Sequence, residues 1–173
     1  MTTAHVKRAF KFRFYPTDAQ AAELSRTFGC VRLVYNKALA ARSQAWTMRQ
    51  ERMNYNATSA MLTEWKKTED LAFLAEVSSV PLQQALRHLQ GAFSHFWTER
   101  AKYPTFKSKK KSRKSAEYTT SAFRYRDGRL TLAKMTQAAG DRVVKGAAGR
   151  AVAVHGDRVA GRGRTVVRLP AVR

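Results

Sequence analysis

The stretch FKFRFYPTDAQ at residues 10–20 contains both a strand pattern and a helix start. Aromatic side chains occupy every second position up to Phe14, and basic side chains stand between them. This alternation is the period of a strand with one buried face. Pro16 ends the alternation, and Thr17 stands three residues before Gln20, which is the spacing of a capping box. The stretch therefore predicts a β-strand that leads directly into a helix.

Four helices are predicted after this start, over residues 17–29, about 31–49, 58–67 and 79–102. The first ends at Gly29, because glycine accepts the left-handed conformation that terminates many helices. A helix-turn-helix break is therefore expected at Phe28-Gly29-Cys30. The last helix is predicted to be the longest. It begins near Ser79, where Pro81 is tolerated in the first turn, and stops before Tyr103-Pro104.

Strand signals return after the helices. Tyr118, Phe123 and Tyr125 precede Asp127-Gly128, a favoured pair for a two-residue turn, and Leu130 and Leu132 follow it. These residues predict a β-hairpin. Together with the first strand and the helices, the hairpin places the chain in the α+β class.

The last part of the chain, residues 136–173, has a different composition. It holds six of the nine glycines and no aromatic residue. Such a segment buries little apolar surface relative to the entropy lost on ordering it, so we expect a disordered or loosely attached tail. A weak Val/Arg alternation at residues 165–168 predicts at most an edge strand. The tail also resembles an out-of-frame reading of GC-rich DNA.

The charge of the chain points to a polyanionic partner. Among 173 residues, 33 Lys+Arg oppose 12 Asp+Glu, a formal charge of +21. Nucleic acid is the first partner to consider, ahead of an anionic membrane surface. No apolar stretch is long enough to span a membrane, and no signal peptide is evident. The single cysteine, Cys30, excludes an internal disulfide, so we expect a cytoplasmic location, at the nucleoid of a bacterium or archaeon.

The sequence offers no convincing catalytic centre. Its acidic residues are scattered, and Glu69-Asp70 is the only adjacent pair. The four histidines lack metal-binding spacings, and the glycines form no phosphate-binding loop. We therefore expect no metal site, no cofactor and no catalytic residue, and the chain by itself is not predicted to be an enzyme.

Basic side chains cluster where a nucleic-acid backbone could bind. Residues 102–114 contain seven basic residues and no acidic one, which predicts a linker or a phosphate-binding arm. Aromatic residues near this arm have two interpretations: Phe96, Trp97, Tyr103 and Phe106 stack on unpaired bases, or Phe96 and Trp97 pack in the core. The predicted backbone contacts are Lys7, Arg8, Lys11, Arg13, Lys102, Lys107, Lys109, Lys110, Lys111, Arg113 and Lys114.

Four ordered motifs resemble one family. They are FKFRFYPT at 10–17, FGCVRLVYN at 28–36, VSSVPLQQAL at 77–86 and KYPTFK at 102–107. Together they are similar to the TnpB/OrfB family of insertion-sequence proteins, often described as transposases with an N-terminal helix-turn-helix domain. The resemblance runs from about residue 7 to residue 135.

The resemblance implies an RNA-guided DNA endonuclease whose partners are a guide RNA and double-stranded DNA. In the family, a helical recognition domain interrupts a small wedge-type β-barrel, and a RuvC-like nuclease domain follows. Mapped onto this chain, it implies a first barrel strand at 1–16, a helical recognition domain at 17–103, a basic arm at 104–116, a barrel hairpin at 117–135 and the tail at 136–173. Residues that match the family's readers of the target-adjacent motif are Tyr55, Ser59, Ser79, Val80, Gln83, Thr119 and Thr120.

After residue 135 the family pattern stops, so we expect a copy truncated before the nuclease domain. The leading interpretation is a nucleic-acid-binding part of a TnpB-like protein that does not cleave DNA. One alternative is a nuclease-dead transcriptional regulator derived from the same family. Another is a misfolded pseudogene product, because an incomplete barrel exposes strand edges.

Overall fold

The computed structural model describes residues 9–14, 16–126, 129–135, 151–157 and 164–170. Its elements confirm the α+β class. The chain divides into two compact units, one formed by Met1–Leu24 with Arg113–Arg173 and the other by Ser25–Ser112. The elements are β1 (Ala9–Phe14), α1 (Asp18–Arg49), α2 (Tyr55–Trp65), a 3-10 helix (Glu69–Ala75), α3 (Ser79–Trp97), β2 (Lys114–Thr119), β3 (Phe123–Arg126), β4 (Arg129–Leu132), β5 (Ala151–Asp157) and β6 (Arg164–Pro170).

The predicted capping box opens α1. The Thr17 backbone N–H donates to Gln20 Oε1 at 2.9 Å, and the Gln20 N–H donates to Thr17 Oγ1 at 3.3 Å. Each side chain thus satisfies a backbone donor that the first helical turn leaves without a partner. This pairing sets where the chain changes from strand to helix.

The predicted break at Phe28-Gly29-Cys30 is wrong. Helix α1 runs for 32 residues without interruption, and Gly29 lies inside it. Its buried residues recur at helical spacing on both sides of the glycine, from Leu24 to Ala45. Burying one continuous stripe outweighs the cost of a glycine in a helix, about 1 kcal/mol. The helix ends at Arg49, and Gln50 then takes a positive φ of 53°.

This geometry predicts that Gly29→Ala stabilises the protein. A methyl group at Gly29 would meet no atom within 4 Å, so alanine adds no clash. Alanine is favoured over glycine in a helix interior by about 0.5–1 kcal/mol, which is the expected gain in unfolding free energy in a urea titration. The matched control is Gly91→Ala in α3, where space is also open. A loss of stability in Gly29→Ala beside a gain in Gly91→Ala would indicate a turn at residue 29.

The remaining helices differ from prediction mainly at their ends. Helix α2 begins at Tyr55, where Asn54 Oδ1 accepts from the Ala57 N–H at 3.0 Å. Helix α3 begins at Ser79 as predicted but ends at Trp97, five residues early, and is shorter than α1. Leucine is the commonest residue in the buried core of the unit Ser25–Ser112, where Leu39, Leu62, Leu74, Leu82, Leu86 and Leu89 are all buried.

The hairpin forms as predicted. Strands β3 and β4 pair antiparallel, and Arg126 pairs with Arg129, so two residues connect the strands. These two residues, Asp127 and Gly128, lie outside the described part of the chain. Tyr118 belongs instead to β2, in a separate four-stranded sheet whose order is β1-β6-β5-β2.

The C-terminal segment differs from its prediction as a disordered tail. Within it, β5 and β6 are strands, and the other residues after 135 are not described. The expected edge strand at 165–168 is an inner strand, because β6 pairs antiparallel with both β1 and β5. Backbone hydrogen bonds between strands need no aromatic side chain, and valine-rich stretches favour strands, so composition alone underestimated the strand content of this segment.

None of the described helices combines the length and apolar composition needed to cross a membrane.

Candidate nucleic-acid interface

Two contacts hold α2 against α3. Lys66 Nζ donates to Ser79 Oγ at 2.9 Å, and the Arg87 guanidinium lies 4.6 Å from the centre of the Tyr55 ring. Lys66 follows the last residue of α2, whereas Tyr55 is its first. The start of α3 therefore lies beside the end of α2, and the two helices are antiparallel.

The pairing brings most of the predicted motif readers onto two neighbouring helices. Tyr55 and Ser59 lie one turn apart on α2, and Ser79 and Gln83 lie one turn apart on α3. Arg87 occupies the next turn of α3; sequence reasoning missed it, although its spacing of four from Gln83 was a signal. Gln83 and Ser79 are exposed, whereas Tyr55 and Ser59 are half-buried. We call these five residues the polar seam.

The other three predicted readers are not among these five residues. Val80 is half-buried, and its backbone N–H donates to Ser78 Oγ at 3.4 Å. Thr119 and Thr120 follow one another at the end of β2, in the other compact unit. Thr119 Oγ1 lies 3.2 Å from Ser121 Oγ, and Thr120 is exposed.

The arm after α3 is fastened to α1 by one asparagine. Asn36 Nδ2 donates to the Lys107 carbonyl at 2.9 Å, and the Lys107 N–H donates to Asn36 Oδ1 at 2.8 Å. Lys107 Nζ lies 4.1 Å from the centre of the Tyr35 ring. Burial lowers the pKa of Lys107 and raises the pKa of Tyr35. Lys107 thus anchors the arm on an aromatic face.

Beyond this anchor, residues 108–112 form a closed turn. The Ser112 N–H donates to the Ser108 carbonyl at 3.0 Å, and the Ser108 N–H donates to Ser112 Oγ at 2.8 Å. Ser108 Oγ also accepts from the N–H groups of the second and third lysines at 3.2 and 3.4 Å. The turn presents three consecutive exposed lysines: Lys109, Lys110 and Lys111. We call residues 108–112 the lysine turn.

The other predicted backbone contacts are placed less completely. Lys102 and Arg113 are exposed, and Lys114 is half-buried at the start of β2. Lys7 and Arg8 lie outside the described residues. Lys11 and Arg13 belong to β1, and their side chains are not among those described.

Helices α1 and α3 and the chain after each of them form a further feature, a groove of about 270 Å³. Its rings are Trp46, Phe93, Phe96, Trp97 and Tyr103, and Arg42, Glu51, Arg52 and Met53 complete the lining. We call it the aromatic groove.

The positions of Phe96 and Trp97 contradict the interpretation that they pack in the core, and their stacking on bases stays a prediction. Phe96 is 36% exposed and Trp97 43% exposed, so both reach the surface rather than the core. Tyr103 sets its edge against Phe96 at 5.2 Å between ring centres, and its hydroxyl lies 2.8 Å from Ser43 Oγ. Phe106 is exposed but does not line the groove.

Sequence reasoning missed Arg42, Trp46 and Arg52. Arg42 and Trp46 lie one turn apart on α1, and this spacing was a signal in the sequence, because both residues fall within the helix predicted at about 31–49. The Arg42 guanidinium lies 4.1 Å from the centre of the Phe93 ring, and its Nη1 donates to Gln90 Oε1 at 2.9 Å. Burial lowers the pKa of Arg42, and the nearby Tyr103 raises it by a smaller amount.

Among the described residues, no group of three or more His, Cys, Asp or Glu side chains could hold a metal ion.

The anchor predicts a specific loss of stability in Asn36→Ala. This change removes two partly buried hydrogen bonds, each worth about 0.5–1.5 kcal/mol. The free energy of unfolding should therefore fall by about 1–3 kcal/mol. Trypsin should also cut the arm faster. Asn56→Ala, at an exposed position of α2, is the control in both urea unfolding and limited proteolysis. Equal behaviour of the two variants would contradict the anchoring role.

Comparison with known proteins gives one matching family model and three informative relatives. The OrfB_IS605 helix-turn-helix domain matches residues 1–51. Within that match, residues 18–49 form a single helix here. Helix α1 therefore supplies no turn of its own.

A Streptomyces pristinaespiralis protein named "Putative RNA-guided DNA endonuclease" is 72% identical over 132 residues, which are 76% of this chain and 33% of the relative. The Escherichia coli protein "Putative RNA-guided DNA endonuclease InsQ" is 33% identical over 121 residues, 70% of this chain and 28% of the relative. The Salmonella dublin "Virulence protein VsdF" is 35% identical over 111 residues, 59% of this chain and 93% of the relative.

The chain thus spans about a third or less of the two endonuclease-named relatives and nearly all of the third. The four motifs, the matched domain and these identities agree with one another. This chain belongs to the TnpB/OrfB family of insertion-sequence proteins.

Proposed function

We propose that this chain is the nucleic-acid-binding part of a TnpB-like RNA-guided DNA endonuclease, binding a guide RNA and the DNA beside its target without cleaving either. The observation that carries the proposal is that the unit Ser25–Ser112 combines a polar seam suited to base edges with a lysine turn suited to phosphates. Its 15 basic residues against 6 acidic ones leave 15 − 6 = +9 to attract the backbone.

The lysine turn supplies affinity without sequence preference. Each lysine that neutralises a phosphate releases condensed counterions, so binding weakens as salt rises. The serine bonds already hold the backbone of this turn closed in the protein. Less conformational entropy is then lost when the lysines meet a nucleic acid.

The polar seam supplies selectivity. An exposed amide such as Gln83 both donates and accepts, which matches the N6 and N7 edge of adenine in the major groove. Serine hydroxyls contact either bases or phosphates. Arg87, held over the Tyr55 ring one turn from Gln83, adds guanidinium donors to the same helix face.

Replacing the lysine turn tests the affinity. In Lys109→Gln/Lys110→Gln/Lys111→Gln, we expect the slope of log affinity against log salt for a single-stranded RNA to decrease in magnitude by about 2, since each lost contact to a single strand removes about 0.7. A matched control, Arg26→Gln/Lys67→Gln/Arg100→Gln, removes three charges elsewhere, two of them paired with carboxylates. Equal slopes in the two triple variants would show that net charge alone drives binding.

Replacing Gln83 tests the selectivity. The full chain, together with the RNA that copurifies with it, is used to select duplexes from a randomised library. Gln83→Ala should remove the preference at one base position, because the lost contact discriminates against other bases by about 1–3 kcal/mol. The control is Gln44→Ala, at another exposed glutamine, which should keep the preference. An unchanged preference would contradict base reading by the seam. The selected duplexes should stay uncut when they are incubated with the chain, the RNA and magnesium. If the chain selects duplexes without RNA, the result would indicate a DNA-binding regulator instead.

A further inference from the structure

We infer that the aromatic groove binds an unpaired nucleobase of a single-stranded nucleic acid. The inference rests on the proposed function, because it assumes a nucleic-acid partner, but it assigns a site that neither the polar seam nor the lysine turn contains. Within the unit Ser25–Ser112, the groove combines exposed aromatic rings with one buried arginine, Arg42, and one exposed arginine, Arg52.

Two tryptophans of the groove lie near the same flat cation. The Arg52 guanidinium lies 5.7 Å from the centre of the Trp46 ring and 5.5 Å from the centre of the Trp97 ring. A planar cation therefore already lies near two indoles, both more than 40% exposed. Nucleobases stack on aromatic faces and on guanidinium planes, whatever their sequence.

A second, independent observation concerns Arg42. This residue is only 4% exposed, yet its Nη2 has no hydrogen-bond partner in the described structure. Its hydrogen-bonded partner, Gln90, is neutral. Because a buried guanidinium donor without an acceptor is costly, the site favours a ligand that brings acceptors or negative charge. Nucleobases carry ring nitrogens and carbonyl oxygens at their edges, and the strand carries phosphates.

The size and charge of the groove also favour a base over a protein segment. At about 270 Å³ it is smaller than the roughly 300–1,000 Å³ pockets that hold drug-sized ligands. Two arginines line it against one acidic residue, Glu51, and that carboxylate is already paired with Arg49 at 3.0 Å. An aliphatic partner side chain would leave Arg42 Nη2 without an acceptor.

Tryptophan fluorescence tests the inference directly. The chain has three tryptophans, and Trp65 is the one outside the groove. The measurements therefore use the Trp65→Phe variant, whose fluorescence comes from the two groove tryptophans. The probes are a short single-stranded oligonucleotide, an abasic strand of the same length and a duplex. We expect quenching by the base-containing single strand alone, although the phosphates of all three probes bind at low salt.

Affinity measurements complete the test. Trp97→Ala should weaken binding of the single strand by about tenfold or more and leave duplex binding unchanged, because stacking on one ring is lost. Trp46→Ala is a second variant that removes the other tryptophan of the groove, and circular dichroism checks that each variant is folded. Phe73→Ala removes an equally exposed aromatic residue outside the groove and should change neither affinity.

The outcomes separate the two proposals. No binding of any probe at low salt, measured by anisotropy, would overturn the proposed function. Binding of all three probes with unchanged fluorescence, and with both tryptophan variants like the parent, would overturn only the base site. The base site would also be overturned if the fluorescence changed with protein concentration alone and sedimentation showed dimers. That result would indicate that a second copy of the chain occupies the groove.

Discussion

The continuous buried stripe of helix α1 is the constraint on which the unit Ser25–Ser112 depends. Three turns of this helix carry residues of two features, the anchor of the arm and the aromatic groove. Tyr35 and Asn36 hold the arm, Arg42 and Ser43 position Phe93 and Tyr103, and Trp46 lines the aromatic groove. These side chains keep a fixed spacing because the helix between them is unbroken, so arm and groove share one rigid support.

Burial, rather than the number of basic residues, decides which cationic side chains are available to bind a phosphate. Lys107 and Arg42 are drawn against aromatic rings, where burial lowers the pKa of each. Ion pairs such as Arg26 with Glu76 lie at the surface and contribute little to stability. The lysines of the lysine turn remain exposed, and they are the cations that solvent-borne phosphates reach first. The formal +21 therefore overstates the charge available for binding.

Local signals in the sequence were accurate wherever neighbouring residues decide the structure. Thr17 and Gln20 form the predicted capping box, and Arg126 with Arg129 closes the predicted hairpin. The signal at Gly29 failed, since glycine permits a helix end without requiring one. Strand β5 was missed and β6 was expected only as an edge strand, because their partners β2 and β1 lie more than thirty residues away in sequence.

By itself, the sequence determined the class of fold, the family through its four motifs, and the residue types for binding a polyanion. Those properties depend on local spacing and on composition, which the linear chain carries directly. Only the tertiary structure decided that α1 continues past Gly29, that Lys107 is an anchor, and that Arg42, Trp46 and Trp97 meet in one groove. Each of these depends on packing between residues distant in the chain, where burial of apolar surface outweighs local preference.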